Sequence, residues 1–249
     1  MTILKDIGNS VMGHRGASGL APENTLAALK LAAKQGVDWV EFDVKMTSDN
    51  VPILLHDDTL MRTSNGFGNV SQLTYDEILK LDVGLWRGER YRGESVPTLH
   101  QAFDLMRTLG LSANIELKPC AGFAIETAVA VAHIIQEEMD TFPGELVISS
   151  FDENCLRTFV DILPEIPSAL LFFKIPWDWK VRAERIGVDA IHCLHKRVNR
   201  FQINNINKAG YPVRCFTVNS RHVAKRLFEW GVESIITDYP SRLVRALYK

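Results

Sequence analysis

Hydrophobic residues in this chain fall into short continuous runs separated by longer amphipathic stretches, and the alternation repeats along its length. The runs cover residues 10–14, 38–44, 113–118, 146–150, 169–173, 190–193, 213–218 and 234–237. Most are apolar throughout rather than alternating, as expected of parallel strands covered on both faces. The intervening segments carry helical periodicity and commonly end in glycine before the next run, at Gly36, Gly110, Gly187, Gly210 and Gly231. A helix exit favours a residue that tolerates a left-handed backbone. Helix starts are marked as well: Thr74-x-x-Glu77 and Thr98-x-x-Gln101 read as capping boxes, and Asp152 and Ser220 as N-caps.

Eight strands alternating with helices, and no Gly-x-Gly-x-x-Gly after the first, predict an α/β fold of the closed (β/α)8 TIM-barrel type rather than a doubly wound sheet. The rhythm breaks once. About seventy residues separate the second and third strands, where one βα unit takes roughly thirty. The surplus, at about 47–97, contains a hairpin-like strand at 51–56, a turn-rich Ser64-Asn65-Gly66-Phe67-Gly68 and a short helix near 74–81. We expect one domain over 1–249, with this segment inserted between the second strand and the second helix on the catalytic rim. It is too small for a core of its own.

A length of 249 residues suits one such barrel, and 46% hydrophobic with 23% charged residues is ordinary for a chain that buries a large core. The formal net charge of -2 argues against nucleic acid or an anionic membrane as a general partner. The four cysteines form no C-x-x-C pair and read as free buried thiols of a reduced compartment. No run near the start resembles a signal peptide and none is long enough for a membrane span, which points to the cytoplasm.

Against this background, several ionisable residues at strand ends stand out: His14 and Arg15, Glu41 and Asp43, His56, Glu116 and Lys118. Side chains two apart on a strand share a face, so Glu41 and Asp43 point together, as do Glu116 and Lys118. In a TIM barrel the carboxyl ends of the strands surround a single mouth. Three carboxylates gathered there repel one another unless a cation sits among them, and an all-oxygen set favours Mg²⁺ or Ca²⁺ over Zn²⁺. With one divalent ion, Lys118 and Arg15 set against three carboxylates, the site is one positive charge in excess. A phosphodiester monoanion would neutralise it. Histidines titrate near neutrality, so His14 and His56 are candidates for activating a nucleophile and protonating an alkoxide leaving group.

The motifs that carry these residues resemble those of the glycerophosphodiester phosphodiesterases. In order they are His14-Arg15-Gly16, Ala21-Pro22-Glu23-Asn24-Thr25, Glu41-Phe42-Asp43, His56-Asp57-Asp58, Arg62-Thr63-Ser64-Asn65-Gly66, Pro97-Thr98-Leu99 and Asn114-Ile115-Glu116-Leu117-Lys118. Ser149-Ser150-Phe151, Phe216-Thr217-Val218-Asn219 and Ile236-Thr237-Asp238 extend the match over nearly the whole chain. The resemblance implies a (β/α)8 barrel that hydrolyses glycerophosphodiesters to an alcohol and sn-glycerol 3-phosphate, and it is greatest to the bacterial cytosolic branch. It carries a metal role onto Glu41, Asp43 and Glu116, acid–base catalysis onto His14 and His56, and phosphate contact onto Arg15 and Lys118. Phe216 and Asn219, at the end of the seventh strand, are expected to line the substrate pocket; many relatives have Trp or Tyr where Phe216 stands.

Glu41-x-Asp43 alone would read equally as a structural ion pair; the accompanying histidines and Glu116-x-Lys118 remove that reading. His100, His133 and His222 lie on helical patterns and read as surface or packing residues, whereas His192 and His195 border a strand end. Asp57 and Asp58 read as turn residues supporting His56, and Glu23 and Asn24 as helix capping and loop bracing. Trp177 on the rim could pack on a head group or cover the barrel edge. Lysophospholipid cleavage is a neighbouring chemistry, but no interfacial helix or basic patch is visible in the sequence, so no stable membrane association is expected. A homodimer is left open by the apolar rim residues.

Overall fold

The structure, a computed structural model, describes residues 10–247. Strands β1 (Val11–His14), β2 (Trp39–Met46), β4 (Ser112–Leu117), β5 (Leu146–Ser150), β6 (Ser168–Phe172), β7 (Ala190–Leu194), β8 (Val213–Phe216) and β9 (Ser234–Thr237) run parallel. Because β1 pairs with both β2 and β9, the eight close into a (β/α)8 barrel. The strand ends differ by one or two residues from the sequence reading.

Alternation explains why the runs look apolar throughout. Val40, Phe42 and Val44 of β2 face outward into the main core shared with the helices, as do Ala113, Ile115 and Leu117 of β4. The intervening residues face the barrel axis. There Met12, Trp39, Val147, Ala169, Ala190 and Ile236 form a separate apolar plug. Most strands bury apolar surface on both faces along their lower part, His192 and Arg214 being inward exceptions on β7 and β8, and the upper inward positions of β1, β2 and β4 are ionisable.

Thr98 and Gln101 exchange the capping-box hydrogen bonds at the start of the helix Leu99–Leu109, and Asp152 caps Glu153–Ile162 by accepting from the Cys155 N–H. Ser220 precedes Arg221–Glu229, but its side chain makes no cap bond, contrary to expectation. The helices Leu99–Leu109 and Trp179–Ile186 end on Gly110 and Gly187 with φ of 65° and 86°, a backbone that glycine adopts without a Cβ clash.

The insertion begins as an overhang. β2 outlasts its pairing with β1, and its last three residues pair antiparallel with β3 (Pro52–Leu54). The chain therefore climbs above the rim, turns, and returns until the Leu55 N–H donates to the Asp43 carbonyl. That step brings His56 down to the level of Asp43. The rest of the segment carries a four-residue helix, Tyr75–Ile78, and three short 3-10 turns. It is also better packed than its sequence suggests. Ile53, Leu55, Leu60, Val70, Ile78, Val83 and Val96 form a buried apolar cluster apart from the main core. No helix among the described residues is long and apolar enough to cross a membrane.

Candidate active site

Register assembles the site. His14 lies opposite Glu41 across β1–β2, and Asp43 opposite Glu116 across β2–β4. In-register neighbours share a face, so four inward side chains from three adjacent strands meet at the C-terminal mouth. Glu41, Asp43 and Glu116 are buried, and one oxygen from each lies within 4.8 Å of the others.

Two cations and an amide hold this cluster. Arg15, whose backbone takes a positive φ of 50°, donates its N–H to Glu41 Oε2 at 3.0 Å and places Nε 3.1 Å from Asp43 Oδ2. Lys118 Nζ donates to Glu116 Oε1 at 2.6 Å and lies 3.4 Å from Asp43 Oδ1. Asn24 grips Asp43 with both ends of its amide. Burial opposes ionisation of Asp43, but Arg15, Lys118 and His56 outweigh it and hold the carboxyl at about 2. Glu41 and Glu116 are less well served. Burial and then the Asp43 charge push both upward, Glu116 to about 7.

Three carboxylates against two cations leave one negative charge in excess, and burying an uncompensated charge costs several kcal/mol. The raised Glu41 and Glu116 are the physical sign of that excess: without a further positive charge they tend to keep protons. A divalent cation fits the donor set, which is all oxygen, converging and already desolvated.

Both histidines have their Nδ1 engaged by a carboxylate. His14 Nδ1 is 2.6 Å from Asp238 Oδ1, and His56 Nδ1 is 2.5 Å from Asp57 Oδ1. Asp238 also accepts from Ser18 Oγ at 2.8 Å and Asn219 Nδ2 at 2.6 Å. Burial works against its ionisation, yet the His14, Asn219 and Ser18 bonds bring it to about 2, so it is the acceptor and His14 Nδ1–H the donor. Asp57 is likewise held below the carboxylate range, by the Arg62 hydrogen bonds and then, against burial, by His56. Burial is the largest of several opposing influences on His56, and its pKa is lowered, which keeps the imidazole neutral near pH 7. Each ring presents its remaining nitrogen, Nε2, as the free proton site; His14 Nε2 is 4.0 Å from Glu41 Oε2.

The carboxylate relay continues across the rim. Arg62 bridges Asp57 and Glu23, and Glu23 also accepts from Arg15 Nη1 at 2.6 Å. Glu23 is thus part of the scaffold behind Arg15, and Thr25 rather than Glu23 or Asn24 caps the first helix, Leu26–Lys34. Under the hairpin, the fully buried Lys45 pairs with Asp58 and donates to the Lys118 carbonyl at 3.1 Å, tying the His56 loop to β4. Lys45, Arg62 and Asp238 received no role from the sequence. Asp238 alone left a signal, an acid one residue past a barrel strand.

A cavity of about 210 Å³ opens over the cluster. One half is lined by His14, Arg15, Glu41, His56, Asn114, Glu116 and Lys118. The other half is apolar, with Phe151, Phe173 and Phe216 joined by Leu171, Leu194 and Ile236. Phe216 therefore reaches the pocket as expected. Asn219 does not line it: its amide is taken up by Asp238 and the Thr237 hydroxyl, because β8 ends at Phe216 and the chain turns toward β9. His192 and His195 do not line it either; His192 lies buried inside the barrel beside Arg214. Trp177 neither lines the cavity nor covers the barrel edge; it stands in solvent.

A model of the Glycerophosphoryl diester phosphodiesterase family matches residues 14–242. A glycerophosphodiester phosphodiesterase of Caldanaerobacter subterraneus is 33% identical, with 96% of this chain and 98% of the relative covered. Among solved structures, an Oleispira antarctica phosphodiesterase in complex with its product sn-glycerol-3-phosphate superposes with a TM-score of 0.93 at 36% identity, over 96% of this chain and 97% of that one. A glycerophosphodiester phosphodiesterase from Agrobacterium tumefaciens gives a TM-score of 0.79 at 28% identity, over 95% and 99% of the two chains.

Proposed function

The chain belongs to the glycerophosphoryl diester phosphodiesterase family, and from that premise we propose that it hydrolyses glycerophosphodiesters with a divalent cation, Mg²⁺ or Ca²⁺, using His14 and His56 as the acid–base pair. The reaction adds water across one phosphoester bond and releases an alcohol and sn-glycerol 3-phosphate. Two imidazoles with free Nε2 atoms on one cavity, each fixed through Nδ1 by a carboxylate, carry this reading.

Glu41, Asp43 and Glu116 are the residues that would hold the cation. When bound, it would supply Lewis-acid stabilisation of the charge that develops on the phosphoryl group. The rest falls to the chain. Arg15 and Lys118 meet the remaining phosphoryl charge, with their own orientation set by Glu23, Asp43 and Glu116. One histidine takes the proton of the attacking water on Nε2, and the other delivers a proton to the departing alkoxide. The carboxylates on Nδ1 stabilise whichever ring is charged. Phe151, Phe173 and Phe216 exclude water from one side of the phosphorus. The whole chain acts as one catalytic domain, since the insertion supplies His56.

His14→Ala and His56→Ala should each lower turnover by at least about 10²-fold while calorimetric binding of Mg²⁺ or Ca²⁺ stays close to wild type. Near-normal turnover in either variant removes that residue from the mechanism.

A further inference from the structure

β6 and β7 pair in parallel with Phe172 opposite Cys193, so the residues after each strand leave the barrel side by side. These two loops, with the start of the helix Arg200–Lys208 that follows the second, carry strongly exposed aromatics: Trp177 is 95% exposed, Phe201 72% and Phe173 60%. Interleaved with them are four exposed cations, Lys174, Lys196, Arg197 and Arg200, for which no described residue provides an ion-pair partner. Residues 173–178 and 194–201 contain those four cations against a single carboxylate, Asp178, in a chain whose net charge is -2. Of the other guanidiniums near the mouth, Arg15 and Arg62 are engaged by carboxylates and Arg87 and Arg90 by backbone carbonyls. The two loops lie about twenty residues apart in sequence, which is why no basic patch is visible before the fold juxtaposes them.

The patch also leads into the cavity. Phe173 stacks on Phe151 with ring centroids 4.4 Å apart, and both line the apolar half of the pocket. Exposed Trp and Phe beside unpaired Lys and Arg form the combination that enters a lipid headgroup layer, where the aromatics bury and the cations meet phosphates. We propose that this face docks the mouth reversibly onto an anionic lipid surface. Each cation contributes about 1 kcal/mol to such docking, or roughly fivefold in partitioning.

Sedimentation with vesicles tests it. Wild-type protein should pellet with vesicles of phosphatidylcholine mixed with phosphatidylglycerol, stay in the supernatant with phosphatidylcholine alone, and be released by salt. The double variant Lys196→Ser/Arg197→Ser should partition roughly 25-fold more weakly, and Trp177→Ser/Phe201→Ser should lose most of the binding. Both should keep the thermal midpoint of wild type and its hydrolysis of water-soluble glycerophosphocholine. The binding is read by sedimentation, so it stands or falls independently of the hydrolytic reading. Indifference to phosphatidylglycerol overturns the proposal. So does wild-type partitioning by either double variant, or salt-sensitive retention on single-stranded RNA without vesicle binding.

Discussion

Asp238 fixes which proton His14 can exchange. By accepting from Nδ1–H it leaves Nε2 to the cavity, and Asp238→Asn, which can turn its amide N–H toward the ring, stabilises the opposite tautomer. Turnover should fall roughly 10²- to 10⁴-fold with little change in metal affinity, measured by steady-state kinetics beside calorimetry. An unchanged turnover would confine Asp238 to a structural role. His192 sets a pH dependence of stability instead. Burial, and then the Arg214 charge, hold its pKa well below the ordinary 6.5. The unfolded chain takes up a proton near that pH that the folded state refuses. The neutral ring's contribution is therefore complete above pH 6.5 and is lost as the pH falls below it, by at most about 1.4 kcal/mol per unit. Urea unfolding of His192→Gln should show a shallower acid decline than wild type; parallel declines would contradict this. At this scale the strand-end residues were legible because two-residue spacing on a strand needs no knowledge of the fold. Glu23 was legible as a loop brace though not as a helix cap, while the partners of Arg62 and Asp238 were hidden because they depend on which loops meet across the rim.

Strands and helix caps follow from local chemistry, and their effects should stay local. Thr98→Ala removes the side-chain cap of a helix that lends the cavity no residue and keeps the backbone bridge to Ile53, which costs about 1 kcal/mol and lowers the thermal midpoint by roughly 2–4 °C, with kcat unchanged. The hairpin behaves differently, because it carries a site residue. Lys45→Met leaves Asp58 free to hydrate but strips the Lys118 carbonyl of a donor and frees the His56 loop. It should cost about 1–3 kcal/mol in chemical denaturation and slow turnover roughly tenfold; loss of stability with full turnover would show that the hairpin positions His56 without this tether. The insertion was legible through its length and turns. Its separate core stayed hidden because the members, from Ile53 to Val96, are scattered over short turns and one four-residue helix with no sustained period. Ser220 has the right residue type at a helix start, but its side chain makes no cap bond.

For the molecule as a whole, barrel closure converts sequence order into spatial order. β1, β2 and β4 are neighbours, so motifs separated by tens of residues converge without any other constraint. That made the convergence of Glu41, Asp43 and Glu116 readable in advance. The same closure juxtaposes the β6 and β7 loops, which no short motif announces. Under the proposed function, the excess negative charge among Glu41, Asp43 and Glu116 is met by a divalent ion. Release of glycerol 3-phosphate from glycerophosphocholine, followed before and after EDTA and then on titration with Mg²⁺ or Ca²⁺, tests this directly. Activity should vanish on chelation, return with one of these ions, and fail to return in Glu41→Gln or Glu116→Gln. Undiminished product release in EDTA would contradict it.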